Sequence, residues 1–226
     1  MLPLRDNVPT RSRPLVTYAL ILANILVWVL YQLPDLQGSV DELAYHPCEV
    51  EGSCPTVGQG WPVTAVTSMF LHGSWAHLLG NMLFLWIFGN NVEDALGKVR
   101  FLALYLAGGF AATALQTFIT LSYASELDGT IPNVGASGAV SAVLGAYLVL
   151  LPRAKVLTLI FIVLREIPAG FFLLVWFGFQ LLDGSTSLAH PEQGGGVAFF
   201  AHVGGFVFGA LAVKLLQQRQ PLAPTH

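Results

Sequence analysis

The stretch Gly135-Ala136-Ser137-Gly138 decides the fold class of this chain, because it opens an apolar segment that continues to residue 151. A second stretch, Ala201-His202-Val203-Gly204-Gly205, lies near the start of another apolar segment of membrane length. A hydroxyl or an imidazole in hydrocarbon costs free energy unless it finds a partner. We therefore expect Ser137 and His202 to serve a function, and the segments around them to span a membrane.

The composition of the 226 residues is also that of a membrane protein. Hydrophobic residues make up 54% of the chain and charged residues only 10%, whereas roughly 25% is usual in soluble domains. We expect an all-α integral membrane protein that forms a single domain over residues 1–226. A helix of about 20 apolar residues crosses the hydrocarbon core. The sequence predicts six such spans, at residues 15–33, 75–92, 101–121, 137–151, 167–182 and 197–216.

A shorter apolar piece at residues 156–164 is too brief to cross a membrane by itself. It ends at Arg165-Glu166. We expect it either at the membrane interface or as an extension of the fifth span.

The basic residues predict the orientation of the six spans. Alternating spans put the N-terminus, the loops after spans two and four, and the C-terminus on one side. Of the ten basic residues, the following fall there: Arg5, Arg11, Arg13, Lys98, Arg100, Arg153, Lys155, Lys214 and Arg219. The positive-inside rule makes that side cytoplasmic. We expect a bacterial inner membrane and a retained first span, since no Ala-x-Ala cleavage site follows it.

The sequence indicates neither a cofactor nor a nucleic acid partner, because it holds no Gly-rich phosphate loop and no basic aromatic surface. Cys48 and Cys54 lie in the first outer loop, where they form either a disulfide or two free thiols. Even with His46 they fall short of the four ligands of a structural zinc site, so we expect no metal. The oligomeric state is not readable from the sequence.

Four polar residues are expected to converge in the outer part of the membrane, because spans two, four and six all begin on the outer side. His77 and Asn81 are spaced i, i+4 on one face of span two, and Ser137 opens span four. His202 comes about five residues into span six, which places it roughly 7 to 8 Å below the start of the helix.

Small residues beside the serine and the histidine predict close contact between spans four and six. Gly138 follows Ser137, and Gly205 and Gly209 share the helix face of His202. Small residues let two membrane helices approach closely, which brings the hydroxyl within hydrogen-bond reach of the imidazole. Each residue alone also has an ordinary structural explanation, as a packing device, a proton path or a hydrogen bond between helices.

At these residues the chain resembles the rhomboid family of intramembrane serine proteases. The resemblance covers about residues 61–216, and its motifs appear in family order. The matching stretches are His72-Gly73-Ser74-Trp75-Ala76-His77-Leu78-Leu79-Gly80-Asn81-Met82, Gly89-Asn90-Asn91-Val92-Glu93-Asp94, Gly135-Ala136-Ser137-Gly138, and Ala201-His202-Val203-Gly204-Gly205-Phe206 with Gly209.

The resemblance implies a six-helix rhomboid bundle and a catalytic dyad of Ser137 as nucleophile and His202 as general base. It also implies that His77, Asn81 and the backbone N–H of Ser137 hold the oxyanion. The resemblance also implies two kinds of partner, which are single-span membrane proteins as substrates and the lipid of the membrane in which the enzyme binds them. His72 has two interpretations, a structural or water-lining role and a direct catalytic one, of which we favour the first.

Two departures from the family pattern stand out. Many relatives have a Trp-Arg pair in the first outer loop, where this chain reads Trp61-Pro62-Val63-Thr64. Some relatives have an aromatic residue four positions after the serine, and here that position is Ser141. We therefore expect other contacts to orient His202.

Access to the site has several candidate elements. The loop at residues 35–74 or the loop at residues 183–196, with its Gly194-Gly195-Gly196 run, is expected to cover a water-filled cavity. In span five, an aromatic set forms either the lateral entrance or a lipid-facing surface, and its members are Phe171, Phe172, Trp176 and Phe179.

Two other functions remain open at this stage. One is a rhomboid-like protein that binds membrane helices without cutting them, although such proteins typically lack the serine or the histidine. The other is a channel or transporter, which the absence of an inverted repeat disfavours.

Overall fold

The structure is a computed structural model that describes residues 1–56, 58–189 and 198–225. Most of these residues are helical. In chain order the elements are β1 (Leu2–Asp6), α1 (Leu15–Leu26), α2 (Leu36–Leu43), α3 (Cys48–Glu51), α4 (Trp61–Thr67), α5 (Trp75–Leu96), α6 (Lys98–Tyr123), α7 (Glu126–Gly129), α8 (Ser137–Leu150), β2 (Lys155–Ile160), β3 (Val163–Pro168), α9 (Ala169–Ala189) and α10 (Phe199–Leu216).

The segments predicted to span the membrane form the long helices. α1 continues directly into a π-helical stretch, Val27–Gln32. Within the described residues, four helices are long and apolar enough to cross a membrane: Leu15–Gln32, Lys98–Tyr123, Ala169–Leu188 and Phe199–Leu216. Of the other two, α8 is apolar but has only 14 residues, and α5 has 22 residues with several polar ones at its C-terminal end. The chain is thus a mostly helical protein with four candidate spans, and the count of six remains a prediction.

A three-stranded antiparallel sheet in the order β1-β2-β3 corrects the expected all-α fold. The apolar piece at residues 156–164 lies in β2, the turn after it and the start of β3, so it does not extend span five as a helix, and its place at the membrane interface stays a prediction. Arg165 sits in β3 opposite Thr158 instead of marking the end of span five. The physical reason is pairing: Val156 and Thr158, two residues apart, are both fully buried, as in a strand with one face covered.

Both termini lie at the same end of the helices as the C-terminal ends of α5 and α8. The Asp6 carboxylate accepts hydrogen bonds of 2.6 Å from the Tyr147 hydroxyl in α8 and from Asn91 Nδ2 in α5. In the C-terminal segment, Thr225 N donates to the carbonyl oxygen of Asn7 at 2.8 Å. The chain therefore gathers its two terminal segments at one end of the bundle.

α8 lies at the centre of the bundle and packs against α10 with almost no side-chain volume between them. A Cβ added to Gly205 would lie 2.0 Å from the carbonyl oxygen of Gly138, and one added to Gly209 would lie 1.9 Å from that of Ala142. On the neighbouring face, a Cβ on Gly138 would lie 2.5 Å from the Cβ of Ala112 in α6. The glycines singled out in the sequence thus lie where helix backbones touch.

The first outer loop is partly helical, through α2, α3 and α4. Cys48 and Cys54 form a disulfide within it, which decides between the two states that the sequence left open. Tyr45 and Asn133 pair through their backbones, with Asn133 N donating to the Tyr45 carbonyl at 2.7 Å. This pairing ties the outer loop to the segment directly before α8.

Candidate active site

Ser137 and His202 are in direct contact across the interface of α8 and α10. Ser137 is the first residue of α8, and His202 lies in the first turn of α10. The distance between Ser137 Oγ and His202 Nε2 is 2.8 Å, which is hydrogen-bond length. The glycine contacts at Gly205 and Gly138 bring the two backbones close enough for these short side chains to meet.

The turn before Ser137 depends on Gly135. This glycine has a φ of +133°, a backbone conformation that side-chain-bearing residues rarely adopt. Its N–H donates to the carbonyl oxygen of Ser68 at 2.9 Å. A Cβ at this position would lie 2.7 Å from His77 Cε1, so the glycine also leaves the space that the His77 ring fills beside the serine.

His77 and Asn81 reach the same place from α5. The helix starts at Ser74, whose hydroxyl caps it by accepting a hydrogen bond from His77 N at 3.1 Å. His77 Nδ1 accepts from the backbone N–H of Gly73 at 3.4 Å. In a neutral imidazole this leaves the proton on Nε2, which is the ring atom near Gly135 and Ser137.

The side chain of Asn81 offers a second donor. Asn81 is buried, with 8% of its surface exposed, and its Nδ2 has no hydrogen-bond partner among the described residues. A buried donor without an acceptor carries a free-energy cost, so Asn81 Nδ2 is available to a group that enters from outside.

These four side chains line one cavity of about 550 Å³ between α5, α8, α9 and α10. Its wall includes His77, Asn81, Ser137 and His202, together with Trp176 and Gln180 of α9. The structure therefore brings together every catalytic and oxyanion residue that the sequence analysis named.

Two contacts from α9 orient the imidazole of His202. Gln180 Oε1 lies 2.6 Å from His202 Nδ1, and the ring of Trp176 lies 6.0 Å from the imidazole, centroid to centroid. Ser141, at the position where some relatives have an aromatic residue, donates its hydroxyl to the Ser137 carbonyl at 2.6 Å instead. The ring that packs on the histidine thus comes from a different helix.

Gln180 is not among the residues predicted from the sequence, although its position carries a signal. Gln180 is the only polar side chain in residues 171–182, and it follows Trp176 by four residues, so both lie on one helix face. An amide in an apolar run of this kind needs a hydrogen-bond partner, and here the partner is the histidine.

His72 is fully buried but does not line the cavity. Its ring packs edge-on against His77 with 5.1 Å between the centroids. Gln32 holds its backbone in both directions, since His72 N donates to Gln32 Oε1 at 2.8 Å and Gln32 Nε2 donates to the His72 carbonyl at 3.0 Å. These contacts favour the structural role over the direct catalytic one.

The aromatic set of α9 divides into two groups. Phe172 is buried and Trp176 half-buried, and both rings lie near Phe84 of α5, at centroid distances of 6.2 and 6.5 Å. Phe171 and Phe179 are exposed. Phe172 and Trp176 therefore lie between α5 and α9, whereas Phe171 and Phe179 face outward. Residues 190–197, with the Gly194-Gly195-Gly196 run and the start of the predicted sixth span, lie outside the described part of the chain.

A serine hydroxyl bonded to an imidazole, beside two further nitrogen donors and among apolar helices, has the chemical composition of a serine-hydrolase site. The sequence matches the model of the Rhomboid domain over residues 58–219, which is well over half of the chain. The chain belongs to the rhomboid family, as the motifs predicted.

Curated relatives agree with this membership. The chain is 28% identical to "Rhomboid protein 1, mitochondrial" of Saccharomyces cerevisiae over 87% of its length, covering 51% of that protein. It is 28% identical to the human "Presenilin-associated rhomboid-like protein, mitochondrial" over 90% of its length and 50% of that protein. It is 31% identical to "Rhomboid protease GluP" of Bacillus subtilis over 91% of its length and 35% of that protein. The chain thus spans about half or less of the relatives it matches.

Proposed function

We propose that this chain is an intramembrane serine endopeptidase, which hydrolyses peptide bonds in or near the transmembrane segments of single-span membrane proteins. The single observation that carries the proposal is the 2.8 Å contact between Ser137 Oγ and His202 Nε2. Membership of the rhomboid family and the name of the Bacillus subtilis relative, a rhomboid protease, also support it.

In the first step Ser137 Oγ attacks the carbonyl carbon of the substrate while its proton passes to His202 Nε2. The carbonyl oxygen becomes an oxyanion, which accepts hydrogen bonds from His77 Nε2–H, Asn81 Nδ2–H and the backbone N–H of Ser137. The C–N bond then breaks, and the imidazolium returns its proton to the leaving amine. An acyl group remains on Ser137.

Water completes the reaction in the same way. It attacks the acyl carbon, gives a proton to His202 Nε2 and displaces Ser137 Oγ, which takes that proton back. The position of Ser137 at the first turn of the 14-residue helix α8 adds favourable potential for the oxyanion in both halves of the reaction. The cavity of about 550 Å³ supplies room for water and for an extended piece of substrate.

The substrate must present an extended segment, because each carbonyl of an intact membrane helix is already hydrogen-bonded. Single-span proteins with a helix-weakening segment meet this requirement at the lowest free-energy cost. Lipid surrounds both enzyme and substrate, so substrate reaches the site within the plane of the membrane.

We further propose six spans in a bacterial inner membrane, with both termini in the cytoplasm and the cavity toward the outer face. The basic residues at the end of the bundle that holds the termini support this orientation. The Bacillus subtilis relative supports the bacterial membrane, whereas the mitochondrial names of the yeast and human relatives favour a mitochondrial one.

Cleavage of a model single-span substrate by the purified full chain, in liposomes and with a chelator present, tests the activity. We expect cleavage by the unchanged chain and none by Ser137→Ala or His202→Ala. Ser185→Ala is the matched control, because Ser185 is exposed and, among the described residues, its hydroxyl donates within α9 to the Leu182 carbonyl. Equal cleavage by Ser137→Ala, or full activity in His202→Ala, overturns the dyad.

The disulfide gives a test of orientation. Intact cells are treated briefly with a reductant, which opens the disulfide, and then with a membrane-impermeant maleimide. The maleimide should label Cys48 and Cys54, because they lie in the outer loop. Labelling that requires permeabilised cells overturns the proposed orientation without bearing on the activity.

A further inference from the structure

We infer that Gln180 is a positioning residue for His202: its amide oxygen holds the Nδ1–H of the imidazole and thereby turns an unprotonated Nε2 toward Ser137. The inference rests on the proposed function, which names a dyad of serine and histidine with no third member. It adds a third residue, supplied by α9.

The geometry of the two ring nitrogens carries the inference. His202 Nδ1 lies 2.6 Å from Gln180 Oε1, and His202 Nε2 lies 2.8 Å from Ser137 Oγ. A neutral imidazole has one N–H donor and one acceptor nitrogen, and an amide oxygen can only accept. The proton therefore sits on Nδ1, and the lone pair of Nε2 faces the hydroxyl, which is the tautomer that a general base requires.

Without this contact both tautomers of His202 are available. In the opposite tautomer Nε2 carries the proton and cannot accept one from Ser137. The described side chains that line the cavity offer no substitute, because no Asp, Glu, Lys or Arg is among them, and the other titratable group among them is His77. That residue belongs to α5, and its Nδ1 is bonded to Gly73 N.

The hydrogen bond between Gln180 and His202 can persist during the reaction. When Nε2 takes the serine proton, the imidazolium has two N–H donors, and the Nδ1–H remains on the Gln180 oxygen. A neutral amide holds the cation less strongly than a carboxylate would, but it avoids the large cost of burying a permanent negative charge in an apolar bundle.

The neighbouring residue on the same face of α9 acts in the same direction. Trp176 lies one turn before Gln180 and packs near both His202 and Phe206, each at a centroid distance of 6.0 Å. α9 thus supplies both an aromatic ring that packs near the His202 imidazole, from Trp176, and a hydrogen-bond acceptor for it, from Gln180. As a consequence, the position of α9 and the orientation of the base are linked.

The first test compares the full chain with Gln180→Met and Gln180→Glu, using the second-order rate constant for phosphonylation of Ser137 by a small fluorophosphonate, which releases fluoride. Methionine keeps the length of the side chain and removes the acceptor, so we expect the rate constant to fall by up to about 10-fold. A decrease of this size corresponds to the loss of one neutral hydrogen bond. Glutamate restores an acceptor, so we expect it to recover the rate, with the acidic limb of the pH profile moved to higher pH.

Gln37→Met is the matched control, because Gln37 is exposed and, within the described part of the chain, its side chain donates to Asp41 in the outer loop. We expect it to react as the unchanged chain does. A phosphonylation rate and pH profile in Gln180→Met equal to those of the control overturn the inference. If Gln180 only packed against its neighbours, Gln180→Met would leave the acidic limb of the pH profile unchanged, and Gln180→Glu would have no lost rate to recover.

The second test needs no activity, so it separates this inference from the proposed function. In the full chain labelled with ¹⁵N-histidine, the His202 signals are assigned by their loss in His202→Ala. We expect Nδ1 to be protonated in the unchanged chain and in Ser137→Ala. If the unchanged chain shows Nε2 protonated instead, the inference is wrong whether or not the protein cleaves substrate. If Nδ1 is protonated but no fluorophosphonate reacts, the proposed function fails and the positioning role stands.

Discussion

Glu93 and Thr17 are joined by two hydrogen bonds of 2.8 Å, from the backbone N–H and from the hydroxyl of Thr17 to Glu93 Oε2. Val16 N donates to the other oxygen of the same carboxylate at 3.0 Å. A side chain from α5 thus caps the first turn of α1, where N–H groups lack partners and negative charge is favoured. α1 is therefore fixed against the helix that carries His77 and Asn81.

Replacement of Glu93 should destabilise the bundle. In Glu93→Ala three donors of α1 lose their acceptor in a buried place, so we expect a decrease of about 2–4 kcal/mol in the free energy of unfolding. Thermal unfolding of the purified protein in detergent measures it. Glu166→Ala is the control, since Glu166 pairs with Lys155 at the surface and its loss should cost less than about 0.5 kcal/mol. Equal decreases in the two variants would show that the cap is unimportant.

The role of Glu93 marks the limit of what the sequence can predict. The sequence places Glu93 at the inner end of a predicted span, where both Arg100 and backbone groups are possible partners for its carboxylate. The structure selects the backbone, and Arg100 instead donates to the Leu216 carbonyl at 3.1 Å. A sequence shows that a carboxylate near apolar surroundings needs partners, but which segment supplies them depends on the tertiary fold.

The sheet was unpredictable for a related reason. β1 at the N-terminus pairs with β2, 150 or more residues later in the chain, from Asp6 with Val156 to Leu2 with Leu159. The turn between β2 and β3 holds the exposed apolar residues Phe161 and Ile162 in place of the usual Asn-Gly or Asp-Gly pair. The long helices, in contrast, were predictable to within a few residues at most ends, because each is a long apolar run with its own backbone hydrogen bonds.

Asn81→Ala should slow catalysis while leaving some activity. Its Nδ2 is a buried donor without a partner among the described residues, and the proposed oxyanion is the acceptor it lacks. Loss of one oxyanion donor commonly lowers kcat on the order of 100-fold, because the charge of the transition state loses one of several donors. Rates on the model substrate measure the effect, with KM little changed.

Asn90→Ala is the control for this substitution. Asn90 lies on the same helix, but its side chain accepts hydrogen bonds from the neighbouring Asn91, far along α5 from the cavity. We expect its rate to stay close to that of the unchanged chain. An Asn81→Ala rate equal to that of this control removes Asn81 from the oxyanion site.

Gly209→Ala should push α10 away from α8. The added Cβ would lie 1.9 Å from the Ala142 carbonyl oxygen, which no rotation of a side chain can relieve. We expect a loss of about 1–3 kcal/mol of stability or more, as for overpacked interiors. Activity should fall as well, because the same interface sets the distance between Ser137 and His202.

Gly178→Ala provides the comparison for this variant. A Cβ on Gly178 meets nothing within 4 Å, so this substitution in α9 should leave stability unchanged or raise it slightly through better helix propensity. Unfolding of both variants in the same detergent measures the difference. Equal stability of the two would mean that α8 and α10 tolerate a wider separation than their contact indicates.

Asp6 joins the N-terminal strand to two helices through its bonds with Tyr147 and Asn91. Burial raises the pKa of the Asp6 carboxyl above the usual aspartate range, and the hydrogen bonds from Tyr147 and Asn91 offset part of that increase. The folded protein therefore binds this proton more tightly than the unfolded chain does.

A raised pKa in the folded state gives a contribution to stability that is present at low pH and is lost as the pH rises through that pKa. In Asp6→Asn this titration is absent, while the amide oxygen can still accept from Tyr147 and Asn91. We expect the Tm of the unchanged chain, relative to that of Asp6→Asn, to fall as the pH rises from about 4 toward neutrality. Taking the difference of the two Tm values at each pH cancels the titration of the other groups. A difference that stays constant over this range, or that rises with pH, would show that Asp6 is not held in the environment described here.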